Sequence, residues 1–173
     1  MGQADDEAHK NQGPTMTPRQ LEALRKHLHF TVPEAARWVA ADAERPRGVE
    51  ERTWNRWEAG KVAVPLNIAE RMWELVHYRR SLVELLKRDL FPELEAGRSV
   101  VMIWHDDRDD WTDQPVYWRP FQSALAELLS SAPLGGFDLL RLVPFDAGAF
   151  NRWRGARPDT AAERAAWAGQ QPD

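Results

Sequence analysis

Arg52, Asn55 and Arg56 are the residues of this chain best suited to chemistry, and that chemistry is recognition rather than reaction. A guanidinium presents a fork of N–H donors that fits the edge of guanine, and a carboxamide fits adenine in the same bidentate way. The three residues stand in Arg52-Thr53-Trp54-Asn55-Arg56-Trp57-Glu58-Ala59-Gly60-Lys61, with Val64-Pro65 shortly after. Trp54 and Trp57 are three apart, so on a helix they share one face and leave the polar residues to another. Gly60 can adopt the left-handed conformation that closes a helix. Lys61 then lies beside the cap, where a phosphate contact fits. An apolar anchor, a polar face that includes Thr53, and a stop signal together make the layout of a helix read into the major groove.

Such a helix needs others to hold it. Thr17 is a good N-cap, Pro18 suits a first helical position, and Gln20 stands where a reciprocal capping box requires it. Leu21, Leu24 and Leu28 give this first helix its buried stripe. A second helix starts at Thr31, with Pro33 in its first turn and Glu34 at the third position. Its inner face comes from Ala35, Ala36, Trp38 and Val39. Thr31 has two readings: a plain N-cap, or a residue whose neighbouring amides hold a phosphate. Arg25 and Glu58 are expected to pair between the first and third helices. Three short helices of this kind match a helix-turn-helix core.

Here the resemblance becomes specific. The N-terminal half resembles the phage Cro/repressor class and, more narrowly, the anti-CRISPR-associated (Aca) repressors with their bacterial relatives of unassigned function. The resemblance rests on Leu21-Glu22-Ala23-Leu24-Arg25, Glu34-Ala35-Ala36, Arg52-Thr53-Trp54, Trp57-Glu58-Ala59-Gly60-Lys61 and Val64-Pro65. A second block, Trp118-Arg119-Pro120-Phe121-Gln122-Ser123-Ala124-Leu125-Ala126-Glu127-Leu128, extends it to about Ser131. It implies a dimeric DNA-binding repressor of its own operon with a C-terminal dimerisation domain. Because some relatives also bind RNA, it implies RNA as a further possible partner. The chain departs from the family between Val39 and Val49, where the segment is longer than the usual tight turn and holds Arg45-Pro46-Arg47-Gly48. Arg45 and Arg47 could reach the backbone or an adjacent minor groove, as basic arms do. Equally, the segment could be a tolerated surface insertion, since lengthening a loop costs little.

Charge sharpens this division. The net charge of −4 over 173 residues looks wrong for a DNA binder until it is divided along the chain. Met1–Thr15 carries −2; Met16–Arg80, with twelve Lys+Arg against nine Asp+Glu, carries +3; Ser81–Asp173, with ten against fifteen, carries −5. The basic part coincides with the reading head, as phosphate contact requires. A dimer would double +3 and span two grooves. With no cysteine there is no disulfide or thiolate metal site. No apolar run reaches membrane-spanning length and no signal-peptide pattern opens the chain, so it reads as soluble and cytoplasmic. Nine tryptophans are many for this length and should anchor cores or interfaces.

The expected fold is mainly α with a small C-terminal α+β module. Residues 1–15 read as a disordered extension and residues 16–80 as the helix-turn-helix domain. Residues 81–146 read as a dimerisation domain, and residues 147–173 as a tail, partly disordered or weakly helical. A long helical pattern carries Ile68, Met72, Leu75, Leu82, Leu86 and Leu90, ending near Phe91-Pro92 or at Gly97. The C-terminal module is expected as helix–strand–helix–strand. Its strands are Ser99–Trp104 and Phe137–Phe145, with a short extended piece at Val116–Arg119 and a helix over Phe121–Ser130. Pro133-Leu134-Gly135-Gly136 is a turn signal. So small a sheet has open edges, which pairing across a twofold axis would close. The dimerisation candidates are Val101, Ile103, Trp118, Phe121, Leu125 and Leu128.

No catalytic constellation is visible. His105-Asp106-Asp107-Arg108-Asp109-Asp110 with Asp113 is dense in oxygen ligands but lacks the tight-turn glycine of a calcium loop, and reads as a solvated acidic loop. His27 and His29 do not share a helix face. There is no glycine-rich phosphate loop and no nucleophile elbow. No metal and no cofactor are implied. Two segments have an alternative nucleic-acid reading: Trp118, Arg119, Gln122 and Ser123 at the start of the second block, and the aromatic–basic run Phe150–Arg157. The expected function is a homodimeric repressor binding an inverted repeat in double-stranded DNA. The alternatives are an RNA-binding translational regulator using the same basic face, and an antitoxin-like module that binds a protein.

Overall fold

A computed structural model of the chain describes residues 15–133 and 136–171. Residues 1–14 of the extension expected over 1–15, and part of the 133–136 turn signal, lie outside the described residues. The chain divides between Arg79 and Arg80 into two compact units.

The first unit is helical. Helix α1 (Pro18–His27) opens on the expected capping box: the Thr17 amide donates to Gln20 Oε1 at 2.8 Å, and the Gln20 amide to Thr17 Oγ1 at 3.2 Å. This satisfies two of the donors that a helix start leaves without partners. A second box, Thr31 with Glu34, opens α2 (Val32–Glu34), which continues as a π-helical turn over Ala35–Val39. Helix α3 covers Glu51–Glu58 and α4 runs from Leu66 to Glu95, across the boundary between the units. Leu21, Leu28, Ala35, Ala36, Val39, Trp54 and Trp57 are buried as their spacing requires, while Leu24 and Trp38 are half-buried. On α4, Ile68, Ala69, Met72 and Leu75 are buried too.

The second unit is built on two parallel five-residue strands, β1 (Val100–Trp104) and β2 (Leu140–Pro144), paired in register from Val100↔Leu140 to Trp104↔Pro144. Parallel strands need a crossover, and α5 (Pro115–Ser130) lies between them in the chain. Both sheet faces are covered, as parallel sheets demand. Val100, Met102 and Leu140 pack with Leu86, Leu90 and Leu94 of α4 and Leu128 of α5. Val101, Ile103 and Val143 pack on the other side with Phe145, Phe150, Trp167 and Ala168. The period-two alternation of strand side chains separates these two sets.

The fold decides four expectations. The segment 147–173, expected to be partly disordered or weakly helical, is helical over much of its described length. It forms α6 (Ala147–Arg154) and α7 (Ala161–Ala168), whose Phe150 and Trp167 are 1% and 2% exposed. Burying one such phenylalanine is worth about 1.5–3 kcal/mol, enough to offset the weak helical pattern of these short segments. Val116–Arg119 is not extended but helical: Pro115 stands at the first helical position, and burial of Trp118 and Pro120 overrides the extended bias that Pro120 places on Arg119. Phe137–Leu139 is a 3₁₀ turn that shortens the second strand. Of the two ends expected for the long helix the later one holds: it passes through Pro92 to Glu95, and Gly97, at φ +74°, closes the turn that follows.

Candidate nucleic-acid interface

Helix α3 has two opposed faces. Trp54 and Trp57 are 0% and 4% exposed, and their rings meet edge-on at 5.6 Å between centroids. Arg52, Asn55 and Arg56, at i, i+3 and i+4, are exposed on the opposite side; Thr53 sits half-buried at the boundary. Beyond the helix, Gly60 takes φ +69°. Its amide donates to the Trp57 carbonyl at 3.0 Å, and the Lys61 amide donates to that of Arg56 at 2.9 Å. The two bonds form the expected left-handed cap, and Lys61 is left exposed beside it.

One buried cluster fixes the pose of α3. Arg25 donates to both oxygens of Glu58, at 2.7 and 3.1 Å, and to the Phe30 carbonyl at 2.9 Å. Trp54 Nε1 donates to Glu58 Oε1 at 2.7 Å. The predicted Arg25–Glu58 pair is therefore present, with Trp54 as a third member. The carboxylate ties α1 to α3, while the guanidinium also satisfies the carbonyl just before α2. Charge-assisted bonds of this bidentate kind add geometric specificity as well as energy.

The segment between α2 and α3 is a built turn. Asp42 accepts from the amides of Glu44 and Arg45, at 3.1 and 2.7 Å, and from the Arg45 guanidinium at 2.6 Å. The guanidinium holds the Asp42 carboxyl below its ordinary range. Gly48, at φ +73°, lies so close to α2 that a Cβ there would meet the Ala36 carbonyl oxygen at 2.2 Å. The next amide, Val49, donates to that same oxygen at 2.9 Å. Both arginines are exposed, but Arg45 is engaged within the turn and Arg47 has no carboxylate partner among the described residues.

Among the described residues of this unit, Arg37, Arg47, Arg56 and Lys61 carry no carboxylate partner. Arg52 is exposed and paired with Glu50 at 2.5 Å, both in open solvent. Arg19, Lys26 and Arg71 have acidic neighbours on their own helices. The unpartnered cations therefore belong to α2, α3 and the turns that follow them. Arg37 was missed by sequence reasoning; its signal was its place on the solvent side of a helix whose Ala35, Ala36 and Val39 turn inward. Thr31 is a working N-cap. Its amide donates to Glu34 at 2.8 Å and its hydroxyl accepts from the Glu34 amide at 3.4 Å. With Pro33 lacking an N–H, Val32 supplies the remaining amide of that turn.

The residues expected at a dimer interface divide by burial. Trp118, Leu125 and Leu128 are 4%, 0% and 0% exposed within the single chain, so they cannot form its outer surface. Val101, Ile103 and Phe121 are half-buried. The second sequence block is a structural lock. Trp118 Nε1 and Gln122 Nε2 both donate to the His105 carbonyl, at 2.9 and 2.6 Å, and so fix the chain as it leaves β1. Arg119 lies over the Trp118 ring at 4.0 Å and donates to Gln122. The run Phe150–Arg157 is likewise engaged internally. Phe150 is buried, and Arg157 covers Trp153 at 3.8 Å, so these rings offer no open stacking platform. In the acidic loop, Asp106 accepts from Trp104 Nε1, Asp107 from the Asp109 amide and Asp113 from the Gln114 amide. Among the described residues, no group of three His, Asp or Glu side chains converges as a metal site, and no helix is long and apolar enough to cross a membrane.

These features define a mainly helical protein with a small two-stranded parallel sheet, its unpartnered cations in the first unit gathered around one short helix. Comparison with known proteins places it further: residues 16–133 match the Aca2/YdiL-like family, and the chain belongs to that family. It is 28% identical over 116 residues to the Aca2 repressor of Pectobacterium phage ZF40, covering 64% of this chain and 90% of that protein. It is 26% identical over 124 residues to the uncharacterized protein YdiL of Escherichia coli (strain K12), covering 65% of this chain and 92% of that one. The family is one of transcription regulators. The strand β2 and helices α6 and α7 lie beyond the matched residues.

Proposed function

We propose that this protein is a sequence-specific DNA-binding transcriptional repressor whose first unit is a helix-turn-helix reading head with α3 as the recognition helix. The observation that carries this is the opposition on α3: two buried tryptophans on one side, and Arg52, Asn55 and Arg56 exposed on the other. Arg52 and Asn55 read base edges, and Arg56 reaches a base or a phosphate. Lys61, Arg37 and Arg47 bind phosphates from the flanks, with Arg45 holding the turn that carries Arg47. The Thr31 end of α2 faces the backbone through the Val32 amide. Arg52 exchanges its exposed ion pair with Glu50 for a DNA contact, a small loss because such pairs are weak.

The protein acts as a homodimer on an inverted repeat in its own promoter, occludes polymerase, and needs no cofactor. Two heads then place α3 in major grooves about one helical turn apart, roughly 34 Å, or a multiple of it. The likeness to the Aca2 repressor supports autoregulation of an operon of the anti-CRISPR type. The test is a gel shift of the full-length protein on its own upstream duplex, with excess nonspecific competitor and the leader transcript as a second competitor. A discrete complex that disappears in Arg52→Ala and resists the transcript is expected. A complex formed on the transcript alone would replace this reading with that of an RNA regulator.

A further inference from the structure

We propose that Asp42 and Gly48 are positioning residues of the nucleic-acid interface: they order the turn ahead of α3 and hold its tip, Arg47, against the Arg37 end of α2 as a preformed contact for the duplex backbone. The inference rests on the DNA reading of α3 and adds residues that hold a contact rather than make it.

The turn is tied down at both ends. Where α2 runs into its π-helical turn, the Ala40 amide donates to the Ala35 carbonyl at 3.2 Å, in place of the Ala36 carbonyl that an α-helix would use. The Ala36 carbonyl accepts instead from the Val49 amide, just past the turn. One residue earlier, Gly48 approaches so closely that a Cβ would stand 2.6 Å from the Arg37 carbonyl oxygen as well as 2.2 Å from that of Ala36. Its φ of +73° is one that a side chain also resists. At the other end the Asp42 carboxylate accepts from two amides of the turn and from the Arg45 guanidinium. The Arg45 carbonyl accepts from the Asp42 amide at 3.2 Å and from the Gly48 amide at 2.8 Å. The second of these bonds closes a β-turn over Arg45–Gly48. Pro46 takes the position that its ring presets, and Arg47 stands at the tip.

A mere connection needs none of this, since a longer loop costs little. What the order supplies is a fixed cation. Asp42 neutralises Arg45 and leaves Arg47 exposed, with no carboxylate partner among the described residues. Arg37, whose backbone Gly48 meets, is exposed and unpartnered in the same way. A contact held in place beforehand loses less freedom when the duplex arrives.

The sign of one substitution separates this from charge alone. Asp42→Ala removes a negative charge and releases Arg45, so simple electrostatics makes it bind DNA more tightly. The proposal makes it bind more weakly. Full-length wild type, Asp42→Ala, Gly48→Ala, Arg47→Ala and the double variant Asp42→Ala/Arg47→Ala are titrated with a labelled upstream duplex across a range of salt, with Arg56→Ala alongside. Asp42→Ala, and Gly48→Ala, which changes no charge, should each weaken binding severalfold and lower the salt slope by about one. Asp42→Ala should add nothing to the loss in Arg47→Ala. Thermal unfolding should show the fold retained; if Gly48→Ala unfolds, Asp42→Ala alone decides. Tighter or unchanged binding by Asp42→Ala overturns the proposal, as does an equal loss when Arg47 is already absent. Arg56→Ala tells the two failures apart. Weaker binding there, with the Asp42 and Gly48 variants at wild-type strength, removes this inference alone. No binding by the wild type, or an unaffected Arg56→Ala, removes the reading of α3 and the inference with it.

Discussion

The two units treat their arginines and lysines differently. In the second unit several cations are built into the structure, although Arg80 and Arg152 are exposed with no carboxylate partner among the described residues. Lys87 meets Glu127, Arg157 meets Glu163 and covers Trp153, and Arg164 joins Asp159, Asp110 and Phe145. In the first unit Arg25 is built in just as thoroughly and Arg79 is equally buried, while Arg37, Arg47, Arg56 and Lys61 have no carboxylate partner among the described residues. A charge that is already paired and desolvated by its own chain has little left for a phosphate, whereas an exposed and unpartnered one releases counterions when it binds. Net charge alone would have pointed only roughly to the first unit. Within that unit, the pairing of individual side chains narrows it to α2, α3 and the turns after them.

The largest effects should come from the two cores. Trp54→Ala should destabilise the first unit by roughly 3–5 kcal/mol, because it opens a cavity and removes one of the three hydrogen bonds to the Glu58 carboxylate. Phe150→Ala should cost the second unit about the same, measured by urea unfolding. A Phe150→Ala loss below about 0.5 kcal/mol, the size of an ordinary surface change, would return residues 147–171 to the status of a tail. Acid should separate the units next. The pKa of His105 is about 4 in the fold against 6.5 when unfolded, so the unfolded chain binds the proton more readily between these values. Stability of the second unit should therefore fall as pH drops from 6.5 towards 4, by roughly 3 kcal/mol in total. His105→Phe should remove that dependence; if the slope persisted, its source would lie elsewhere.

Smaller changes follow on the nucleic-acid side. Arg52→Ala should weaken operator binding by roughly 1–3 kcal/mol and relax one base position in a selection experiment. Equal loss on every sequence would make Arg52 a phosphate contact. Lys61→Ala should weaken all duplexes alike and lower the salt slope by about one. An unchanged slope would remove Lys61 from the interface.

Much of the first unit was legible because its signals are local. Capping boxes at Thr17 and Thr31, the Trp54/Trp57 spacing and Gly60 each act within one helical turn, and the Arg25–Glu58 pair follows once α1 and α3 are drawn. What escaped depends on distant partners. Nothing near Phe150 or Trp167 in the chain announces the sheet face that buries them. Trp118 reads as a buried anchor and Gln122 as a polar group at an interface; that both close on the His105 carbonyl is visible only in the fold. Val116–Arg119 misled because the proline at 120 biases its predecessor towards extended backbone, and only tertiary burial overrides that. Arg45 and Arg47 looked equivalent; the Asp42 carboxylate, three residues back, sets them apart.

The most direct test removes one positive charge from each unit and compares the outcomes. Binding of a labelled upstream duplex should be followed by fluorescence anisotropy for the wild type, Arg56→Ala and Arg152→Ala, each across a range of salt. The account predicts weaker binding and a shallower salt dependence for Arg56→Ala, and wild-type behaviour for the exposed Arg152→Ala of α6. Loss of binding in Arg152→Ala with Arg56→Ala unaffected would place the interface on the second unit and contradict the account.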